Sequence, residues 1–336
     1  MKRVTIKEIA REAGVSAMTV SYALRNNPKI SEDTREKVRA VAERLGYRPD
    51  PEISKLMRHL RDPRRTAFSH SLAFVNSWPD KDEYRKGYVG GIFKGALARA
   101  EALGFKLEPF WLGDYRGSEA KLSAVLHHRG IPGLLLPPWH QPDTAPAFVW
   151  EHFAAVTTTL SIHEPKLNRV ANHFHHNMEL ALKILAQRGY GRIGFVETAD
   201  FHLREESMAS GAYHNYAAAQ PSRRRLPPLV FSPEDPQSLF DWYDKHKPDA
   251  IIGSLKRPHD LLAERGVNFP EDCGFLCLDA LQHPHLAAVD TRPEDLGHAA
   301  IDNLVAQIFR NESGLPPLPK LTLIEGRFRD GFSIRS

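Results

Sequence analysis

The chain has 336 residues, of which 42% are apolar and two are cysteine, so it has room for two or three domains with a large core and no disulfide framework to hold them. Its formal charge of +4 is unevenly divided: residues 1–66 carry 16 Lys and Arg against 9 Asp and Glu, a net of +7, and the other 270 carry 29 against 32, a net of −3. A basic module on a mildly acidic body suits a phosphate-rich partner and excludes a uniformly solvated charged surface. No run approaches 18 apolar residues and no basic-then-apolar leader opens the chain, which predicts a soluble, cytoplasmic protein with no membrane partner.

Thr5 opens a first helix, with Glu8 completing a reciprocal capping box and Ile6, Ile9, Ala10 and Ala13 forming one apolar face. Gly14 stops it. Ser16 caps a second helix whose inward positions are Val20, Ala23 and Leu24. Its other face carries Ala17, Met18, Ser21, Tyr22 and Arg25, a set with no common reason to be buried. Two helices across a glycine-containing turn, the second with a mixed polar edge, make the helix-turn-helix layout, although a plain packing hairpin writes the same pattern. Ser31-Glu32-Asp33 then caps a third helix with a stripe of Val38, Val41, Ala42 and Leu45, ended by Gly46.

Residues 1–47 resemble the DNA-binding headpiece of the LacI (lactose-repressor) family, whose Val-Thr-Ile-x-x-Ile-Ala-x-x-Ala-Gly-Val-Ser-x-x-Thr-Val-Ser pattern is matched from Val4 to Ser21. The resemblance implies an all-α headpiece over residues 1–49 that places Ala17, Met18 and Tyr22 against base edges of double-stranded DNA. Thr5, Ser16, Thr19, Ser21, Lys29 and Ser31 are then expected at phosphates, with Arg25 on the same face. Asp50, Pro51 and Glu52 sign a short helix over about 51–59. In the family this is the hinge helix, which orders on DNA beside its symmetry mate and wedges a leucine between base steps; Leu56 falls at that position, preceded by Lys55. An ordinary linker helix with Leu56 and Leu60 packed on the body is the alternative. Residues 50–66 are expected to be hinge and linker.

From Ser71 the pattern changes to short apolar runs alternating with amphipathic helices, which predicts α/β doubly wound parallel sheets. The runs are Leu72–Val75, Lys106–Trp111, Gly133–Leu136 and Ala155–Leu160, then Arg192–Val196, Leu229–Phe231, Ala250–Ile252 and Gly274–Leu278, with a late helix from Pro293 to Phe309 and a strand Leu321–Ile324. Two such series predict two lobes in the body, residues 67–336: one of about 67–165 and 293–319, the other of about 166–292 and 320–336. Cys273 and Cys277, four apart on one strand, read as core thiols. Gly87-x-x-Gly90-Gly-x-x-x-Gly95 departs from a dinucleotide loop in spacing and reads as close helix packing.

The body resembles the same family's effector domain, a fold shared with periplasmic sugar-binding proteins, through Arg129-Gly-Ile-Pro-Gly-Leu-Leu-Leu-Pro137, Arg188-Gly-Tyr-Gly-Arg-Ile-Gly-Phe-Val196 and Ala288-Val-Asp-Thr-Arg-Pro-Glu-Asp-Leu-Gly297. It implies a sugar-like effector between the lobes, where open α/β sheets bind ligands, and a homodimer on a pseudo-palindromic operator. Asp279 matches a family acid that takes ligand hydroxyls or amines. Elsewhere the family's pattern is altered: an arginine falls on Met208, with Arg204 one turn upstream as a substitute; an Asn-Asp pair falls on Leu255-Lys256; and an aspartate becomes Asn172. Lys256 reads equally as a contact for a carboxylate or phosphate ligand and as a solvated loop lysine, and Trp78, Trp139 and His163 sit in loops after strands where they can stack. The other readings are a metal-dependent enzyme, suggested by His173, His175 and His176, and a periplasmic-type binding protein without a DNA role. The histidines lack carboxylate or cysteine support, so no metal, no cofactor and no enzymatic activity are expected.

Overall fold

A computed structural model of the chain describes residues 5–24, 30–47, 70–142, 144–279 and 283–336. The first unit is three helices: α1 (Ile6–Ala13), α2 (Ala17–Ala23) and α3 (Glu32–Arg44). Ile9, Ala10, Ala13, Val20, Ala23, Val38 and Ala42 bury together, so each helix contributes its apolar stripe to one small core. The predicted hinge helix over about 51–59 lies outside the described residues, as do Arg25, Lys29, Lys55 and Leu56.

The body holds two six-stranded sheets. The first contains β1 (His70–Asn76), β2 (Phe105–Trp111), β3 (Gly133–Leu136), β4 (Ala154–Thr158), β5 (Asn168–Asn172) and β11 (Leu321–Ile324), in the order β11-β5-β4-β3-β1-β2 and parallel throughout. The second contains β6 (Ile193–Thr198), β7 (Leu229–Phe231), β8 (Ala250–Gly253), β9 (Gly274–Cys277), β10 (Ala288–Asp290) and β12 (Arg327–Arg329), in the order β12-β10-β9-β8-β6-β7, with only β12 antiparallel. Runs such as Gly133-Leu-Leu-Leu136 are buried at every position because both sheet faces are covered. Leu72 and Phe74 face α4 (Gly87–Ala102) and α11 (Pro293–Arg310), while Ala73 and Val75 face α5 (Glu119–His128). The second sheet divides the same way: Phe195 and Ile252 meet α6 (Phe174–Gln187) and α8 (Met208–Ala219), and Val196 and Ile251 meet α9 (Gln237–His246) and α10 (Arg257–Glu264). Cys273 and Cys277 are free and buried in that second layer.

The lobe boundaries differ from the expected ones at two places. Asn168–Asn172 and Leu321–Ile324 pair with each other in the first sheet, so the chain changes sheets at 172–174, 290–293 and 324–327 rather than at 165/166 and 319/320. The polar run Asn168-Arg-Val-Ala-Asn172 hides a strand whose burial comes from its neighbours β4 and β11. The three passages are tied together: Asn172 Nδ2 donates to Thr291 O at 2.6 Å, His173 N to Ile324 O at 2.9 Å and Gly326 N to Asn177 Oδ1 at 2.9 Å.

Candidate functional site

Among the described residues, the first candidate site is α2, where exposure meets organised polar groups. Thr5 N donates to Glu8 Oε2 at 2.7 Å and Glu8 N to Thr5 Oγ1 at 3.4 Å, the expected capping box; Gly14 ends α1 at φ 68°, a left-handed conformation that costs glycine little. Thr19 N donates to Ser16 Oγ at 3.0 Å, which fixes the start of α2 immediately after the turn. Val20 and Ala23 bury one side, and Ser16, Ala17 and Met18 project from the other, Met18 with 63% of its surface exposed. An isolated methionine that exposed gains nothing from the protein interior. Thr19, Ser21 and Tyr22 are half-buried along the same edge. Ser31 stands at the start of α3, but its hydroxyl pairs with Thr34 Oγ1 at 2.8 Å instead of capping the backbone.

The second place follows from the sheet orders. In the first sheet the chain steps from β1 outward to β2 and then back past β1 to β3; in the second it steps from β6 to β7 and back to β8. Loops at such reversals part and leave a crevice at the carboxyl ends of the strands. Trp78 follows β1 and Pro138 follows β3, while Asp200 and Phe201 follow β6 and Leu255 follows β8; all five line one cavity of about 290 Å³ between the sheets. Tyr88, Phe174, Arg204, Glu205 and Asp279 also line it.

A short segment of the second lobe clasps the first. Arg204, at the end of α7 (Ala199–Arg204), donates through Nε to Asp200 at 2.7 Å and through its terminal nitrogens to the carbonyls of Trp139 at 2.5 Å and His140 at 2.7 Å, and its guanidinium lies 5.3 Å over the Trp78 ring. Two residues on, Glu206 pairs with Arg169 of β5 at 2.8 Å. Glu206 and Ser207 both take left-handed backbone angles, φ 52° and 60°, which places Glu205 between the two clasps with its carboxyl turned inward. That carboxyl accepts from Ala209 N at 3.1 Å and is 1% exposed; burial and the neighbouring Glu197 push it up to about 9. Glu197, also raised by burial, lies 2.8 Å from His202 Nδ1, whose Nε2 is 3.1 Å from Ser207 Oγ. Near neutral pH the Glu197 and Glu205 pair therefore retains a proton.

Of the effector residues expected from the sequence, Trp78, Arg204 and Asp279 line the cavity. Trp139, His163, Asn172 and Lys256 do not line it. Trp139 is 3% exposed against Phe148, a core position, because its ring turns beneath the sheet while its backbone meets Arg204. His163 is half-buried with Nε2 unpartnered among the described residues. Asn172 is fully buried, accepting from the Tyr88 hydroxyl and donating to Thr291. Lys256 pairs with Asp260 one turn along, which removes the reason for expecting an anionic ligand. Tyr88, Phe174, Phe201 and Glu205 went unread; Tyr88 and Phe174 carried the available signal, an aromatic in the first turn of a helix that follows a strand. The histidine run has local roles: His173 Nδ1 accepts from His176 N at the start of α6, and His175 faces Glu179 at 3.7 Å. Among the described residues no helix is long and apolar enough to cross a membrane.

Two family models match the chain: bacterial regulatory proteins of the lacI family over residues 5–50, and the periplasmic binding protein-like domain over residues 182–327. The HTH-type transcriptional repressor PurR of Klebsiella pneumoniae is 23% identical over 335 residues, covering 92% of each chain. Among solved structures, a CelR regulator–cellobiose complex aligns over 98% of this chain and 100% of its own with a TM-score of 0.59 at 19% identity. A Lac repressor dimer bound to operator aligns over 99% of both with a TM-score of 0.56 at 18% identity. The chain thus carries a headpiece that matches the lacI family of bacterial regulatory proteins and a body that matches the periplasmic binding protein-like domain, and a relative of repressor type is similar to it over nearly the full length of both.

Proposed function

We propose that the protein is a transcription regulator of the repressor kind, which binds double-stranded DNA at a pseudo-palindromic site as a homodimer and is controlled by a sugar or sugar derivative held between its lobes. The observation that carries the DNA half is α2: its cap and buried side are fixed, and Ala17 and Met18 stand clear of the protein at its amino-terminal end, the end that meets base edges in this motif. Ala17, Met18 and Tyr22 read bases; Thr5, Ser16, Thr19, Ser21, Lys29 and Ser31 fix register on phosphates, and Lys55 with Leu56 enters the minor groove. The operator-bound Lac repressor dimer and the cellobiose-bound CelR support the dimer, the operator and the sugar class by likeness of fold.

Residues 1–49 act as the reading head, 50–66 as the hinge and the remainder as the sensor. Ligand in the cleft alters the angle between lobes and with it the spacing of two hinge segments; it shifts the equilibrium only as far as it prefers one lobe arrangement. The protein performs no chemistry of its own and works in the cytoplasm, where its DNA is. Selection from a randomised duplex library with the full chain tests the reading. Enrichment of an inverted repeat supports it, and recovery of no preferred sequence contradicts it.

A further inference from the structure

The second lobe ends in a basic face. Its strands turn their carboxyl ends to the cleft, so the residues just before β6 and β8 stand at the far pole of that lobe. Three stretches meet there: Arg188–Arg192, which leads into β6; Pro221–Arg225, which follows α8; and Lys245–Asp249, which joins α9 to β8. Arg192 ties them together, donating to the carbonyls of Arg223 and, at 2.6 Å, of His246. A Cβ on Gly191 would lie 3.5 Å from Arg224 Nε, so Arg224 lies across the first stretch. Burial, then the charges of Lys245 and Arg192, hold the His246 imidazole below its usual range.

The three stretches hold seven Arg and Lys against one acid, Asp249, on a body whose net charge is −3. Asp249 is committed to the amides of Gly191 and Arg192, both at 2.8 Å, and Arg188 pairs with Asp330 at 2.6 Å. Arg192 and Arg225 have structural roles, since they bond carbonyls that end α9 and α8, Arg225 reaching Ala217 at 3.1 Å and Ala218 at 3.0 Å. Arg223, Arg224, Lys245 and Lys247 are left exposed, with no ion pair or side-chain hydrogen bond among the described residues. Grouped like charges oppose the compact state unless something outside the chain neutralises them. No large apolar side chain is exposed in these stretches, so the face lacks the apolar centre of a protein–protein contact. Guanidinium and ammonium groups on a polar surface suit phosphates, which arginine engages with paired donors. β1, which the headpiece precedes in the chain, also turns its amino end away from the cleft, so the basic face and the entry of the chain into the first sheet are at opposite poles of the body.

We propose that this face binds the phosphate backbone of a second DNA duplex without regard to sequence, so that a protein seated on one site captures another stretch of DNA. The full chain, saturated with the unlabelled inverted-repeat duplex that selection yields, is titrated with a fluorescent duplex lacking the repeat. The parent is expected to bind it with a log–log salt slope of about −3.5, the value for four phosphates. The test variant combines Arg223→Ser, Arg224→Ser, Lys245→Ser and Lys247→Asn, the last because asparagine tolerates the left-handed backbone at φ 41°. It keeps Arg192 and Arg225, and with them the carbonyl bonds. It is expected to bind the second duplex at least about tenfold more weakly, with the slope falling toward zero, and to keep the parent's affinity for the repeat duplex within about twofold. Arg223→Lys with Arg224→Lys, which preserves charge, is expected to retain the second duplex. A saturated parent that binds no second duplex, a fourfold variant that binds it as well as the parent, or tighter capture of a polyglutamate peptide of matched charge overturns the proposal. If selection yields no repeat, the reading of α2 fails by itself, and the same titration without the first duplex still decides the face.

Discussion

Glu205 is the residue whose state is set most completely by its surroundings. Its folded value of about 9 lies above the ordinary 4.5, so the folded chain favours the neutral form. The stabilisation is therefore full below pH 4.5 and is lost as pH rises from there toward 9. Glu205→Gln keeps an acceptor for Ala209 N and a donor toward Glu197 without a proton to lose. It is expected to raise the melting temperature of the body at pH 8, leave it nearly unchanged at pH 4, and flatten the profile between; a variant less stable than the parent at both ends contradicts the assignment. At the other end of the chain, Met18 has nothing to gain from the protein interior. Met18→Ala is expected to change discrimination at one base pair of each half-site by about 1 kcal/mol with little loss of overall affinity, read by selection on a randomised duplex. Met18 and Asp279 could be named from the sequence because each occupies a fixed offset in a local motif. Glu205 could not, since its character comes first from burial, then from Glu197, eight residues back, behind a backbone turn through two left-handed residues that no local pattern announces.

At the scale of elements, two contacts govern the body. Helices α4 and α11 approach until backbone meets backbone: a Cβ on Gly95 would lie 2.0 Å from Glu294 O, and one on Gly297 would lie 2.1 Å from Ile92 O. Gly95→Ala is expected to cost about 1–3 kcal/mol in denaturant unfolding through overpacking, whereas Gly130→Ala, where a Cβ meets nothing within 4 Å but the backbone is left-handed, separates strain from crowding. Gly91 and Gly95 carried this signal, since a Cβ on either would meet Pro293 or Glu294 of the facing helix, whereas Gly87 serves a left-handed backbone and Gly90 faces Arg85. The second contact is the Arg204 clasp. Arg204→Ala removes both carbonyl bonds to the first lobe and the cover over Trp78, so the lobes are expected to sample wider angles, seen as a larger radius of gyration in X-ray scattering. An unchanged scattering profile contradicts a clasp. Sequence reasoning found Arg204 at the cleft but not its bonds across it, since a donor able to reach a ligand also reaches a carbonyl of the opposite lobe.

For the whole molecule, the grammar of strands and helices was legible because alternation of buried runs with amphipathic helices is a local property repeated along the chain. The division into lobes was less so. β5 and β11 belong to the first sheet by pairing partners more than 150 residues apart, and the polar ends of Asn168–Asn172 mask its burial. The aromatic lining of the cleft was hidden for the same reason: Tyr88, Phe174 and Phe201 come from three helices and meet only after both sheets form. The three passages between lobes are tied together, Asn172 to Thr291 and His173 to Ile324, and the Tyr88 hydroxyl on Asn172 joins the cleft to them. All of this is regulation of one act, the entry of α2 into a groove. Fluorescence anisotropy of the selected inverted-repeat duplex, titrated with the full chain and with Met18→Glu, tests that act directly. An acid placed among phosphates and base acceptors in both half-sites is predicted to weaken binding by at least about a hundredfold, with a steep salt dependence for the parent; equal affinity of the two proteins would contradict the account.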